Sequence, residues 1–175
     1  MAKIIKESKI FNLYDMYIIF RERNFDNLLD FIKENGINAV DRSGRNILIN
    51  CVIEGNQEWA KYIITNFEDL DLNSRDYAGR SALHYAFQKN YIDIVTDLLN
   101  NKNVDINIVD NSGDTALMSA LEYRCNEMIV IKLLEAGLDI NKENNYGKRP
   151  NEYLLTKIND YIKNNNIKLK FRSEE

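Results

Sequence analysis

The chain has 175 residues, with a single proline, a single histidine, two cysteines and seven glycines. So few Pro and Gly leave no room for a long flexible linker. With two Cys and one His, and no ligand spacing among them, a four-ligand zinc site is excluded unless carboxylates complete it. Cys51 and Cys125 stand far apart at positions that read as helical, so they are expected as two reduced thiols. No apolar run approaches the roughly 20 residues of a membrane span. The N-terminal stretch is interrupted by Glu7 and Asp15 and lacks a small-residue cleavage site, so it reads as structure rather than as a signal peptide. These absences set the expectation of a cytoplasmic protein. No Gly-rich phosphate loop, G-x-S-x-G or H-E-x-x-H stands anywhere in the chain. His84, the sole histidine, has no orienting partner in sequence, and no acid, base and nucleophile set can be named. No enzyme, no cofactor and no metal are expected.

What is present is periodicity. Glycines fall at 44, 79, 113 and 147, each in a turn: DRSG, DYAG, DNSG and NNYG. D-[IL]-N triplets fall at Asp71–Asn73, Asp105–Asn107 and Asp139–Asn141. A self-similar period of 34 to 35 residues signals a stacked repeat architecture. Each unit opens with turn chemistry and a polar residue suited to cap a helix, Asn46, Ser81 or Thr115. In the middle unit, Ala82, Leu83, Ala86 and Phe87 follow at helical spacing, Asn90 breaks the helix, and Ile92, Ile94, Val95, Leu98 and Leu99 give a second helix an apolar face. One unit is thus turn, helix, helix, with an apolar face that only a neighbouring unit can bury. Asp41, Asp76 and Asp110 recur once per unit. They read as caps of their own turns rather than as calcium ligands, since a calcium site needs six to eight oxygens around one ion.

The pattern resembles the ankyrin repeat. The resemblance is carried by Gly79, Ser81, Leu83, His84, Ala86, Ile94, Val95, Leu98, Leu99, Asp105 and Asn107, and in the next unit by Gly113, Thr115, Leu117, Ala120, Leu133, Leu134, Gly137, Asp139 and Asn141. It implies an all-α solenoid of stacked helix-turn-helix units with turn or finger loops, about three full repeats plus terminal caps. The whole chain, 1–175, is then one domain: a degenerate first repeat or N-terminal cap over 1–40, repeats at 41–75, 76–109 and 110–143, and a C-terminal cap and tail over 144–175. In the cap, two helices are expected over Asp15–Arg23 and Phe25–Glu34, broken at Asn24 and ended by Asn35-Gly36. A further helix is expected from Pro150 to about Asn164. An extra residue stands between the third repeat's helices near Tyr123–Asn126. The resemblance makes His84 a structural residue of its turn.

Function is expected at positions that vary while the scaffold recurs. The resemblance implies a concave face of turn tips and first-helix surface that binds a protein. Its candidate contacts at the tips are Arg42, Arg45, Tyr77, Arg80, Asn111, Asp114, Tyr146 and Lys148, and at the ends of the first helices Glu54, Gln88, Lys89, Glu122 and Tyr123. Tyr and Arg concentrate binding energy at interfaces. Trp59 reads as packing, with a partner anchor as the alternative. The expected protein is a non-enzymatic interaction module, monomeric alone, with no membrane role. Its net charge of -4 argues against a dominant nucleic-acid face. Three narrower roles stay open: an immunity or antitoxin-like inhibitor of a co-encoded toxin, a host-directed effector, and, through Arg42, Arg45, Arg80 and Lys89, a nucleic-acid binder.

Overall fold

In the computed structural model, the described residues are 13–121, 127–149, 159–161, 163 and 164. The expected helices form, in pairs. The N-terminal pair is α1 (Leu13–Glu22) and α2 (Phe25–Asn35); then come α3 (Ile47–Ile53) and α4 (Gln57–Asn66), α5 (Ala82–Gln88) and α6 (Ile92–Leu99), and α7 (Ala116–Leu121) and α8 (Glu127–Glu135). Helical backbone recurs at 159–161 and 163–164. The expectations for the extra residue near Tyr123–Asn126, for Cys125 and for the first residues of the Pro150 helix fall outside the described residues.

Polar caps fix where the helices start. The Asn24 side chain accepts from the amides of Asp26 and Asn27 at the head of α2, Asn46 from Ile49 at α3, and Asn56 from Trp59 at α4. Thr115 Oγ1 accepts from Met118 N–H at α7. Each bond satisfies an amide that has no partner inside its own helix. Gly36 ends α2 as the sequence predicts, its N–H donating to Ile32 O at 2.7 Å.

Apolar spacing then dictates the stacking. Helices α3, α5 and α7 pack side by side in one row, and α4, α6 and α8 in a second row behind them. Each pair encloses part of one continuous core that includes Leu48, Ile63, Leu83, Phe87, Ile94, Leu98, Leu117 and Ile129, all buried. The N-terminal pair joins this core through Met16, Leu28 and Ile32. Its seam with α4 is aromatic. Trp59 stacks on Phe20 at 5.5 Å, Phe25 meets Tyr62 edge-on at 4.7 Å, and Tyr62 meets Phe67 at 6.4 Å. Trp59 is 7% exposed, which assigns its indole to packing.

Between pairs, two hydrogen-bond ladders run the length of the stack. One uses the asparagines. Asn38 Oδ1 accepts from Asp71 N–H at 2.8 Å, Asn73 from Asp105 at 2.8 Å, and Asn107 from Asp139 at 3.0 Å. The other joins successive turns, which project as fingers. Tyr77 N–H donates to Ser43 O, Asn111 N–H to Ala78 O and Asn145 N–H to Ser112 O, at 2.9 to 3.0 Å.

Candidate protein-binding face

Each finger is built on its first residue. The Asp41 carboxylate accepts from the amides of Ser43 and Arg45, Asp76 from Ala78 and Arg80, and Asp110 from Ser112 and Asp114. The Asn144 side-chain oxygen does the same for Tyr146 and Lys148. Across every finger, the first N–H donates to the fifth carbonyl, for instance Asp76 N–H to Arg80 O at 3.0 Å. The three aspartates are buried. Their second oxygens are engaged too: Tyr85 O–H donates to Asp76 at 2.6 Å, and Asn50 Nδ2–H to Asp41 at 3.3 Å. Burial, followed by that bond to Asp76, pushes the Tyr85 phenol up from its ordinary pKa. The recurring aspartates therefore cap turns.

The fifth residue of each finger reaches the first residue of the next. Arg45 Nε lies 3.8 Å from Asp76 Oδ2, and Arg80 Nε lies 3.5 Å from Asp110 Oδ2. Asp114 accepts from Asn144 Nδ2–H at 2.7 Å. Arg45, Arg80 and Asp114 thus link fingers and keep only part of their side chains in solvent, 32% for Arg45 and 35% for Arg80. Asn111 links as well, its Nδ2–H donating to Tyr77 O at 2.8 Å. These links were not legible in sequence, because a position that reads as a solvent-facing tip gives no sign of the neighbour it touches.

His84 sits under the second and third fingers, 1% exposed. Its Nδ1 accepts from Ser81 N–H at 3.2 Å and lies 2.9 Å from Ser81 Oγ. Nε2–H donates to Asp114 O at 3.1 Å. That pattern needs the neutral ring, and burial, the main cause, lowers its pKa. His84 is a structural clasp between two units.

What remains open to solvent is a row of tips. Tyr77 is 69% exposed and Tyr146 is 73% exposed. Arg42 and Lys148 are exposed beside them. The residues at first-helix ends do not join this row. Glu54 and Lys89 are exposed at the C-caps of α3 and α5, and Gln88 is half-buried at the end of α5. A seven-residue helix separates those ends from the fingers by about 10 Å. Glu122 and Tyr123 lie outside the described residues. Glu54 instead faces α1. With Tyr17, Phe20, Arg21, Arg23, Glu58 and Trp59, among others, it lines a groove of about 720 Å³. That groove was not anticipated. Its one sequence signal is Arg23, which holds φ +50° at the turn after α1, where the equivalent turns carry Gly55 and Asn90.

Among the described residues, no three His, Cys, Asp or Glu side chains are grouped to hold a metal ion, and no helix is long and apolar enough to cross a membrane. A family model described as ankyrin repeats, in three copies, matches residues 16–110. No curated protein matches the chain.

Proposed function

Because the chain belongs to the ankyrin repeat family, whose repeats are generally protein-interaction modules, we propose that it works by binding a protein partner along the row of fingertips and the adjoining first-helix surface, the concave face of the solenoid. The observation that carries this reading is the pairing of rigidity with exposure. The fingers are stitched to one another through backbone amides, so little conformational freedom is left to lose on association. On that stitched row stand two tyrosines with about seven-tenths of their surface free. A tyrosine offers large contact area for two side-chain torsions, which is why it recurs at binding hot spots. The ring of Tyr77 lies over Gly44 of the preceding finger but stays outside the core and keeps most of its surface in solvent.

The test is affinity capture from a lysate of the source organism, with wild type beside a Tyr77→Ala/Tyr146→Ala variant and the bound protein identified by mass spectrometry. Titration of that protein against the variant should show binding weaker by about thirtyfold, the loss of one hot spot of roughly 2 kcal/mol. A partner that binds the variant as tightly as wild type refutes the fingertip reading.

A further inference from the structure

We propose that the partner of the fingertip face presents an acidic polypeptide segment, an inference that rests on the fingertip reading above and names the chemistry of what docks there. The chain as a whole is acidic, at -4, yet within the four fingers every exposed charged residue is a cation: Arg42 on the first and Lys148 on the fourth. Arg45 and Arg80 add cationic side chains about one-third exposed, their Nε atoms turned inward. The finger carboxylates are placed differently. Those of Asp41, Asp76 and Asp110 lie beneath the surface, engaged by turn amides and, in addition, by Asn50 at Asp41 and by the arginine of the preceding finger at Asp76 and Asp110. They neutralise the interior of the strip and present no oxygen to a partner. Nothing in the scaffold requires a cation at Arg42 or Lys148, because neither side chain has a hydrogen bond or ion pair among the described residues.

The edge away from the fingers has the opposite net bias. Glu58, Asp93 and Glu127 stand exposed in the first turns of α4, α6 and α8, where they suit the positive ends of the helix dipoles. With Glu22, Asp26 and Glu54 they outnumber the exposed cations of that edge, Arg21, Arg23 and Lys89. An acidic chain is therefore drawn to the fingertips and turned away from the far edge. Complementarity of this kind sets encounter rate and orientation more than raw affinity. The third finger decides between two anionic partners. Its fifth residue is Asp114, half-buried, with one oxygen held by Asn144. A nucleic-acid strand, with a phosphate at every step, would meet that carboxylate. A polypeptide can leave a gap in its acidic residues there, and its side chains can lie against Tyr77 and Tyr146.

The experiment uses the full chain and arrayed peptides that differ only in Asp/Asn and Glu/Gln content, with oligothymidylate as the second probe. Peptide binding should rise with carboxylate count and weaken between low and high salt. It should fall about tenfold or more in Arg42→Glu/Lys148→Glu, and stay unchanged in Lys61→Glu/Lys102→Glu, two exposed lysines away from the fingers. Unfolding midpoints matching wild type establish that each variant is folded. Binding that ignores carboxylate content overturns the proposal, as does equal loss in the lysine control or tighter binding of oligothymidylate. The parent reading fails separately. Peptide binding that is lost in Tyr77→Ala/Tyr146→Ala but ignores carboxylates keeps the fingertip face and removes only its acidic partner. Acidic binding that survives both the tyrosine and the charge-reversal variants removes both.

Discussion

Replacing Gly79 with alanine is predicted to loosen the joint between the second and third fingers, and the structure supplies both the size of the effect and its control. Gly79 holds φ +78°, a left-handed conformation that costs a residue with a Cβ roughly 1–2 kcal/mol. A Cβ there would also lie 2.7 Å from the backbone nitrogen of Asn111 and 2.7 Å from the Arg75 guanidinium. The guanidinium can swing aside at little cost. The Asn111 backbone cannot, because its N–H is bonded to Ala78 O at 3.0 Å and its side chain to Tyr77 O. Separating the fingers enough to admit a methyl group breaks both bonds, at about 1 kcal/mol each. The total is about 3–4 kcal/mol. Gly147 has a similar backbone, φ +69°, with nothing within 4 Å of its would-be Cβ, so Gly147→Ala should lose only the conformational part, about 1–2 kcal/mol. Urea unfolding followed by circular dichroism measures both. The two midpoints should differ by about 1 M, given slopes of roughly 1–3 kcal/mol per molar urea for proteins of this size. Equal losses would refute the argument, because they would mean that finger-to-finger contact adds nothing to the backbone term. Gly79→Val should be worse than alanine, since branching at Cβ adds bulk at the same contact.

Other consequences are as direct. The folded pKa of His84 is lowered below its ordinary 6.5, so the unfolded chain binds the proton first. The stability His84 contributes is complete above pH 6.5 and declines as pH falls below it, by up to about 1.4 kcal/mol per pH unit, until the folded pKa is reached. Urea midpoints measured between about pH 7.5 and about pH 5.5 should slope in wild type and stay flat in His84→Gln; parallel profiles would refute it. Cys51 is fully buried and its thiol pKa is pushed far up by burial. In a Cys125→Ser background, alkylation of Cys51 should be negligible in buffer and rapid in urea, and rapid labelling in buffer would contradict the packing of α3. Arg23→Gly removes a left-handed arginine and should raise stability by about 0.5 kcal/mol, once the extra unfolded-state entropy of glycine is subtracted; a lower urea midpoint would show that the Arg23 side chain stabilises the turn.

The helices and their caps were legible because they depend on local spacing. Apolar residues such as Ile94, Val95 and Leu98 recur with the helical period, and Asn46, Ser81 and Thr115 stand where a helix start needs an acceptor. The structural role of His84 was legible only through the resemblance to the ankyrin repeat, whose motif places a histidine at that position. What escaped is contact across units. Arg45 and Arg80 look like tip residues until the next finger is seen to place Asp76 and Asp110 against them. Asn111 looks free until its amide is found on Tyr77. Glu54 was grouped with the fingers because both precede or follow a first helix, yet the length of that helix separates them and brings Glu54 to α1. Nothing in a linear pattern encodes which side of the neighbouring unit a side chain meets, so the fold was readable while the composition of the exposed row was not.

The asparagine ladder has a consequence for how such a chain can change over generations. The side chains of Asn38, Asn73 and Asn107 each accept from the aspartate amide one unit ahead, Asn38 and Asn73 also donate to carbonyls of that same unit, and the Arg45 and Arg80 bridges obey the same rule. No described bond in either series skips a unit. A duplicated segment spanning 76–109 would therefore present, at its leading edge, the aspartate that the preceding arginine already meets, and at its trailing edge the arginine that the following aspartate already meets. Gene duplication can lengthen this protein without inventing a new interface, and deletion of a whole unit can shorten it. A residue gained or lost inside a helix has no such immunity, because it turns that helix's apolar face away from the core, whereas a loop absorbs one: the rung from Asn38 spans one residue more than those from Asn73 and Asn107, and all three form. Length is the dimension in which this architecture is free to vary, and register is the one in which it is held.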